Sequence, residues 1–309
     1  MKRPSVVLMG GFGNQLFQLA FSLERYPNSP LNLETGLARP RLTLEGNLDL
    51  EFYQLPPGVA VVKVRSGRFA RKITNVILRI SISRVNTWSK FIFVMVLSQL
   101  LKILLMQNIK VVCPFGIGFA KLNHEQPSKN DLVIGYFQSS NYLSEDTIEI
   151  LKKMEYLEEI IGYEKYRERA LIQNPIIVHV RLGDYEQEQG IGILPDSYYL
   201  EALRIAVAKY PNSPIWIFSN DIPSTMQRFC NFNFKGMLYI DDNWNSASAT
   251  FEIMRLGSAY VIANSSFSYW AAMLSRKPNP LVIAPKPWFQ GAESPNQILP
   301  ANWNTILTK

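Results

Sequence analysis

Cysteine and histidine are scarce in this sequence. Among 309 residues, only Cys113 and Cys230 are cysteines, and only His124 and His179 are histidines. Two isolated cysteines exclude a disulfide framework and a CxxC metal knuckle, and two histidines disfavour a histidine-built metal centre. Met1–Pro4 leads directly into a short apolar run and glycines, so no signal peptide is predicted. We therefore expect a protein of the reducing cytoplasm.

Acidic residues are absent from one long stretch. Between Phe52 and His124 there is no aspartate or glutamate, while eleven basic residues occur. Because the whole chain carries a net charge of only +7, the rest of it is mildly acidic. The basic excess is thus confined to residues 52–124, which disfavours a general nucleic-acid-binding protein.

The same stretch contains a long apolar run, Phe91–Met106. Its 16 residues fall short of the ~20 needed to span a bilayer, and they include Gln99 and Lys102. A buried helix of the first domain is the favoured prediction. The alternative is an interfacial helix that rests on anionic lipid beside the arginine-rich Arg65–Arg84 segment. A transmembrane span is the least favoured interpretation.

Apolar strands followed by polar residues recur along the chain. This pattern, with helices between the strands, predicts an α/β protein with parallel sheets wrapped by helices. The length predicts two domains, with a boundary near residue 170 at the end of the charged Lys152–Arg169 region. The predicted strands are Ser5–Met9, Leu31–Leu33, Leu132–Phe137, Ile176–Arg181 (ended by Leu182-Gly183), Ile215–Phe218, Met237–Ile240, Ala259–Ala263 and Leu281–Ala284.

Four strand ends carry residues that suit a nucleotide diphosphate. They are the glycine-rich Gly10–Asn14, then His179–Asp184, Ser219–Asp221 and Asn264–Ser266. Parallel strands bring their carboxyl ends to one edge of a sheet, where ligands bind. An arginine and hydroxyl groups can hold phosphates, and a carboxylate can accept both N–H groups of a guanine edge. Asp241-Asp242-Asn243 lacks the spacing of a metal-binding DxD motif.

The glycine loop admits a second interpretation. Gly10–Asn14 precedes a predicted helix, Gln15–Leu23, as in dinucleotide-binding proteins. Glu34 falls where a ribose-binding acid is expected, but Leu16 stands where a third glycine is needed. A nicotinamide-dependent oxidoreductase therefore remains an alternative.

Four motifs in order resemble those of the bacterial glycosyltransferase family 11, the α-1,2-fucosyltransferases. They are GGFGNQLFQLA, HVRLGDY, FSND and ANSSFSYWAA, and PKPWF near the end fits as well. The resemblance implies a GT-B-like fold, with two Rossmann-like lobes, parallel sheets and a cleft between them. Residues 1–170 are then the acceptor-side lobe and residues 171–309 the nucleotide-sugar-binding lobe. It also implies inverting transfer of L-fucose from GDP-β-L-fucose, as donor substrate, to the 2-hydroxyl of a galactose-type residue, with no metal and no cofactor required.

The resemblance also assigns site residues. The HxR element shared by related fucosyltransferases places donor recognition on His179 and Arg181, and Asp221 matches the guanine-contacting carboxylate. Ser265, Ser266 and the Gly10–Asn14 loop match the phosphate side. The expected donor-binding residues are Gly11, Gly13, Asn14, Gln15, His179, Arg181, Asn220, Asp221, Asn264, Ser265, Ser266 and Phe267.

Catalysis is assigned to Arg181 and Asp184. An inverting transfer needs a proton acceptor near the acceptor hydroxyl, and Asp184, Glu186 and Glu188 are the candidates. Asp184 can equally hold Arg181 or the turn. Most family members carry a second arginine where this chain has Leu182, which bears on donor affinity and identity.

Partners and alternatives follow from the same resemblance. The expected partners are GDP-fucose and a galactose-containing oligosaccharide or lipid-linked glycan, with peripheral contact to the inner face of an anionic membrane as a further expectation. A transferase of the same fold that uses another nucleotide sugar is one alternative. A non-enzymatic, membrane-associated sugar-binding protein is another, and donor turnover distinguishes it.

Overall fold

The computed structural model describes residues 3–43, 46–83, 86–160, 162–183, 190–241 and 246–308. The chain forms two compact units. The first comprises Met1–Glu155 and Pro295–Ile298, and the second comprises Tyr156–Ser294 and Leu299–Lys309. Each unit contains its own parallel sheet, which confirms the predicted α/β class with two Rossmann-like lobes.

The first unit is built on a five-stranded parallel sheet of order β3-β2-β1-β5-β4. Its strands are β1 (Ser5–Val7), β2 (Leu31–Glu34), β3 (Val59–Val62), β4 (Lys110–Val112) and β5 (Asp131–Val133). The chain runs outward from β1 through β2 to β3 and then crosses to β4 and β5. The strand order therefore reverses between β1 and β5, and open parallel sheets bind ligands beside such a point.

Four α-helices of the first unit lie among the described residues. They are α1 (Phe12–Arg25), α2 (Arg68–Ile82), α3 (Thr87–Leu105) and α4 (Glu145–Lys152), with 3₁₀ turns at Asp49–Phe52 and Ser140–Tyr142. Ser144 is the N-cap of α4, and its hydroxyl accepts a hydrogen bond from the Thr147 N–H at 3.2 Å.

Helix α3 corrects the prediction of a buried helix. Val94 and Leu101 lie in the core of the first unit, but the opposite side of α3 is open, with Phe93 56% and Ile103 70% exposed. The sequence misleads here because α3 is apolar on all sides, whereas only one stripe of a helix can pack on a sheet. By length and composition, α3 is long and apolar enough to cross a membrane.

The second unit is built on a six-stranded parallel sheet of order β11-β10-β9-β6-β7-β8. Its strands are β6 (Ile176–Val180), β7 (Ile215–Ser219), β8 (Met237–Tyr239), β9 (Ala259–Val261), β10 (Leu281–Lys286) and β11 (Asn304–Leu307). The chain leaves β6 for β7 and β8 on one side, then crosses to β9 on the other. The order reverses between β6 and β9.

The described helices of the second unit surround this sheet. They are α5 (Tyr163–Gln173), α6 (Asp196–Lys209), α7 (Ile222–Arg228), α8 (Ala247–Met254) and α9 (Ser266–Met273). Strand β6 is buried along its whole length, as expected for a central strand of a parallel sheet. Tyr198 and Tyr199 of α6 lie in the same core cluster as Ile176, Val178 and Val180 of this strand.

The division between the units lies before the predicted position near residue 170. The first unit ends its main segment at Glu155 and the second begins at Tyr156, because α5 packs on the second sheet. The Tyr166 ring meets the Trp216 ring edge-on at 6.2 Å, and the Arg169 guanidinium lies 5.7 Å from the Trp216 ring centre. The many charged residues of α5 make this segment look like a linker in the sequence. Its other side, however, makes these contacts.

Candidate active site

The second unit places Arg181 at the carboxyl edge of its sheet. Strand β6 ends at Val180, so Arg181 is the first residue beyond it, and it is half-buried. His179, two residues earlier, is buried. β6 and β9 are hydrogen-bonded neighbours, with Val178 opposite Val261. The arginine therefore follows one of the two strands between which the order reverses, where open α/β sheets bind ligands.

The segment after β9 adds a helix N-terminus at the same edge. Ser265 is the N-cap of α9, and its hydroxyl accepts a hydrogen bond from the Phe267 N–H at 3.4 Å. The centres of the Phe267 and His179 rings lie 5.8 Å apart. Strand β6 and the start of α9 thus meet here. A helix N-terminus carries a partial positive charge and N–H groups that favour an anion.

His179 is a neutral group at this edge. Burial, together with the neighbouring positive charge of Arg181, lowers the pKa of His179 from 6.5 to about 3. Its Nδ1 atom has no hydrogen-bond partner within the described part of the chain. The imidazole is therefore uncharged near pH 7, so it can serve as a hydrogen-bonding group and Arg181 supplies the positive charge of the HxR element.

Asn264 holds a neighbouring loop in place. Its side-chain amide donates hydrogen bonds to the backbone oxygens of Ile191 at 3.1 Å and Gly192 at 3.0 Å, and the residue is buried. Asn264 thereby ties the end of β9 to the segment that precedes α6. Asn264 was expected to bind the donor. In the structure its side-chain amide instead holds the backbone of this neighbouring loop.

Asn220 performs a similar function on the other side of β6. The Leu182 N–H donates to Asn220 Oδ1 at 2.9 Å, and Asn220 Nδ2 donates to the Leu182 carbonyl oxygen at 2.9 Å. The Leu182 side chain is buried in the core of the second unit. Where most family members are expected to carry a second arginine, this chain thus has a packing residue.

Asp221 is the N-cap of α7, a short helix that was not predicted from the sequence. Its carboxylate accepts hydrogen bonds from the Ser224 N–H at 3.0 Å and from the Ser224 hydroxyl at 2.8 Å. The backbone bond, with the hydroxyl bond, holds the pKa of Asp221 below its usual value. The residue is half-exposed, and a carboxylate has further acceptor capacity. A guanine contact by Asp221 stays a prediction.

The glycine-rich loop of the first unit is shorter than predicted. Helix α1 begins at Phe12, so Gly13 and Asn14 lie in its first turn, and only Gly10 and Gly11 form the bend after β1. Gly10 has a φ of +73°, and a Cβ atom there would lie 2.5 Å from Asn14 Nδ2. Glycine's missing side chain lets the helix start earlier than the pattern indicated.

Gln15 and Asn14 support this bend. Gln15 is buried, and its amide donates to the backbone oxygens of Gly10 and Arg41, both at 3.2 Å. Asn14 Oδ1 accepts a hydrogen bond from Gln138 Nε2 at 2.7 Å. Gly11, by contrast, is half-exposed. The Gly11 backbone at the start of α1 is therefore the part of this segment best placed to meet an anion.

Gln18 is a structural residue whose role was not predicted from the sequence. Its Oε1 accepts from the Met9 N–H at 3.1 Å, and its Nε2 donates to the Gly135 carbonyl oxygen at 3.2 Å. The amide thus bridges the segments after β1 and β5, at the point where the strand order reverses. A glutamine on the buried side of an otherwise apolar helix is the signal that could have identified it.

Glu34 argues against the dinucleotide interpretation. Its buried carboxylate accepts hydrogen bonds from the N–H groups of Gly36 at 2.5 Å, Leu37 at 2.8 Å and Val64 at 3.1 Å. Three backbone partners occupy the oxygens that a ribose would need. Leu16, at the position of the missing glycine, lies buried within α1.

The general-base candidates Asp184, Glu186 and Glu188 lie outside the described residues. Within residues 3–43, 46–83, 86–160, 162–183, 190–241 and 246–308, no group of three histidine, cysteine or acidic side chains is arranged to hold a metal ion. The structure thus brings together His179, Arg181, Asn220, Asn264, Ser265, Ser266 and Phe267 in the second unit. Gly11, Gly13, Asn14 and Gln15 lie together in the first.

A parallel sheet that reverses its order beside a strand-end arginine and a helix N-terminus defines an α/β protein suited to a phosphate-bearing ligand. The sequence profile of glycosyl transferase family 11 matches residues 128–306, and the chain belongs to this family.

Two Escherichia coli proteins are similar in sequence. An α-1,2-colitosyltransferase is 26% identical over 167 residues, which cover 52% of this chain and 57% of that protein. The O-antigen biosynthesis glycosyltransferase WbnK is 25% identical over 170 residues, which cover 53% of this chain and 51% of that protein. The chain therefore spans little more than half the length of these curated relatives.

A solved structure of NodZ α-1,6-fucosyltransferase soaked with GDP-fucose is similar in fold. It superposes with a TM-score of 0.50 at 16% identity, covering 88% of this chain and 93% of that chain. This likeness concerns the fold and confirms the predicted GT-B-like class.

Proposed function

We propose that this protein is an inverting α-1,2-fucosyltransferase, which moves L-fucose from GDP-β-L-fucose to the 2-hydroxyl of a galactose-type residue. One observation carries the proposal: Arg181 stands at the carboxyl end of β6, where the order of the second sheet reverses and α9 begins. Family membership and the α-1,2 linkage in the name of one relative support the reaction class.

Arg181 is assigned to the diphosphate of the donor. A guanidinium is planar and always protonated, so it can donate two parallel hydrogen bonds to phosphate oxygens. Negative charge develops on the β-phosphate as the bond to the sugar breaks. A fixed positive group stabilises that charge in the transition state more than in the ground state. The N–H groups at the start of α9 and the Ser266 hydroxyl are assigned to the same phosphates.

Because His179 is neutral, Arg181 is the residue of the HxR element that carries this electrostatic role. With a pKa of about 3, the imidazole adds no positive charge to the site near pH 7. It is instead assigned to hydrogen bonding with the donor, and the Phe267 ring packs beside it. Replacing Arg181 removes the charge of the HxR pair, whereas replacing His179 changes only a hydrogen-bonding group.

The proposed reaction is a single displacement. The acceptor 2-hydroxyl oxygen attacks the anomeric carbon, the bond from that carbon to the β-phosphate oxygen breaks, and GDP leaves with the electron pair. The hydroxyl proton passes to a carboxylate, for which Asp184 is our first candidate ahead of Glu186 and Glu188. No metal is assigned to the reaction, since Arg181 and the start of α9 supply the positive potential.

A donor with another sugar is the second candidate. The relative named α-1,2-colitosyltransferase favours a colitose-bearing nucleotide sugar as an alternative substrate. Leu182 is consistent with an altered donor preference, because a buried leucine stands where the resemblance implies an arginine.

The testing experiment offers GDP-fucose and GDP-colitose separately to the protein, with a panel of galactose-terminated oligosaccharides and glucose-terminated controls. Product analysis by NMR should show a new α-1,2 linkage to galactose with one donor strongly preferred. A product linked to another hydroxyl would contradict the linkage, and a preference for GDP-colitose would select the second candidate. Release of GDP without any sugar transfer, or no turnover with either donor, would overturn the proposed function.

A further inference from the structure

The α3 helix of the first unit has one side that no described residue of this unit covers. We define the α3 face as the residues Ile92, Phe93, Met95, Val96, Gln99, Leu100, Ile103 and Leu104, all of which are exposed. At 100° per residue they fall on one half of the helix. Gln99 is the only polar residue among them. Globular proteins rarely expose so continuous an apolar surface, and such surfaces mark membrane or protein contacts.

The other side of α3 is fixed to the first unit. Val94 and Leu101 lie in its core, and the buried Lys90 donates a hydrogen bond to the Ser81 carbonyl oxygen of α2 at 3.1 Å. A helix that spans a bilayer would have to leave these contacts. The structure therefore favours a helix that lies along a surface with one face exposed to it.

Helix α2, which packs against α3, carries positive charge. Arg68, Lys72 and Arg79 are exposed and share one side of the helix, because they are four and seven residues apart. Phe69 lies beside them and is 72% exposed. No acidic residue occurs from residue 53 to residue 123, so this positive charge has no neutralising partner in that segment.

A cavity near the start of α3 extends the apolar surface. It has a volume of about 370 Å³ and is lined by Trp88, Phe91, Phe115 and Leu122, with Lys121 among its polar lining residues. The Trp88 side chain is 73% exposed. Tryptophan is enriched at the level of lipid head groups, where its ring meets both apolar and polar surroundings.

We infer that the α3 face and the basic residues of α2 dock onto the surface of a bilayer that contains anionic lipid. Apolar side chains would enter the head-group boundary, and the arginines and lysines would meet the negative lipid charge. A second copy of the chain fits less well, because a two-fold interface sets the same patch against itself. Two segments without acidic residues would then face each other and repel.

The test measures binding of the whole protein to vesicles by sedimentation. Vesicles of phosphatidylcholine alone are compared with vesicles that contain about one third phosphatidylglycerol, at about 0.05 M and about 0.5 M salt. At the higher concentration the Debye length is only roughly 4 Å. The protein should bind the anionic vesicles at least about tenfold more tightly than the neutral ones at low salt, and high salt should release it.

Two variants test the two halves of the surface. Phe93→Gln/Val96→Gln/Ile103→Gln should weaken binding by about tenfold or more, as apolar insertion is lost. Arg68→Gln/Lys72→Gln/Arg79→Gln should weaken it by about 100-fold, since each basic residue near the surface contributes roughly fivefold.

Matched controls lie in the second unit. Leu157→Gln/Leu171→Gln/Ile172→Gln replaces three exposed apolar residues, and Lys165→Gln/Arg204→Gln/Lys235→Gln removes the same charge. Both controls should bind like the wild type, and thermal melting checks that every variant is folded. Equal binding to neutral and anionic vesicles, binding to neither, or a dimer in solution that only the α3-face variant abolishes would overturn the inference.

Discussion

The side-chain amide of Asn220 pairs with both backbone groups of Leu182, at 2.9 Å in each direction, although the two residues are 38 positions apart. The pairing continues the hydrogen bonding of β6 and β7 by one step beyond their last backbone pair, Val180 and Ser219. Arg181 lies between Val180 and Leu182, so its backbone is held on both sides. We conclude that Asn220 positions Arg181.

Asn220→Ala should therefore lower both stability and donor affinity. Loss of two hydrogen bonds should reduce the free energy of unfolding by ~1–2 kcal/mol, measured by urea denaturation. The donor KM should rise by about tenfold, equivalent to ~1.4 kcal/mol of lost binding. Asn233→Ala, at an exposed asparagine of the same unit, is the control. A stable variant with unchanged donor KM would show that Asn220 does not position Arg181.

Because His179 is buried in its neutral form, we expect the folded protein to lose stability at acid pH. The folded-state pKa, about 3, lies below the ordinary value of 6.5, so the unfolded chain takes up the proton first as pH falls. The stabilisation that comes from burying the neutral imidazole is therefore fully present above about pH 6.5. It declines as the pH falls from about 6.5 toward 3. Between pH 7.5 and pH 5 the loss should be ~2 kcal/mol.

The measurement is the free energy of unfolding at both pH values for the wild type and for His179→Gln, which cannot titrate in this range. The variant should lose ~2 kcal/mol less than the wild type on acidification. His124→Gln, at the other histidine of the sequence, is measured alongside. The same pH dependence in the wild type and His179→Gln would refute the buried neutral imidazole.

Gly10 and Gly11 should respond differently to the same substitution. Gly10→Ala places a Cβ 2.5 Å from Asn14 Nδ2 at a φ of +73°, and we expect a loss of ~1–3 kcal/mol in unfolding free energy. At Gly11 the nearest atom to an added Cβ is Arg41 Cδ at 4.0 Å, so Gly11→Ala should change stability by less than ~0.5 kcal/mol. Equal losses in both variants would contradict this account of the bend.

Metal removal should leave the proposed transfer unchanged. The part of the chain that the structure describes offers no cluster of three metal-ligating side chains, and Arg181 is assigned the charge that a metal would otherwise supply. Activity should survive excess EDTA and change by less than about twofold on addition of magnesium. Complete loss on chelation, restored by manganese, would show that acidic residues hold a required metal.

Most strands with apolar runs were predictable from sequence, although β3 (Val59–Val62) and β4 (Lys110–Val112) were not predicted. Ile176–Val180 follows Asn174-Pro175 and is β-branched at four positions, and it forms the central strand β6 of its sheet. Strand β11 was missed because it lies at the edge, where Ile306 is its one buried residue. A strand with one buried residue has little apolar patterning to reveal it.

Other features depend on tertiary packing, which cannot be read from a single sequence. The exposure of α3 is such a case, because an all-apolar helix looks the same in a core and at a surface. The role of Asn220 is another, since its partner Leu182 is distant in the chain. The Arg181 position at the strand end was predictable because it follows directly from β6 and its length.

The transfer rate of Arg181→Ala tests the central claim most directly. With GDP-fucose and a galactose-terminated acceptor, the variant should keep wild-type thermal stability and lose about 100-fold or more in rate, since one charge-assisted contact to a leaving group is worth ~3 kcal/mol. Arg181→Lys should recover little, because the planar fork is lost, and Arg204→Ala, at an exposed position of α6, should keep the wild-type rate. A folded Arg181→Ala variant that retains more than about one tenth of the wild-type rate would contradict the account.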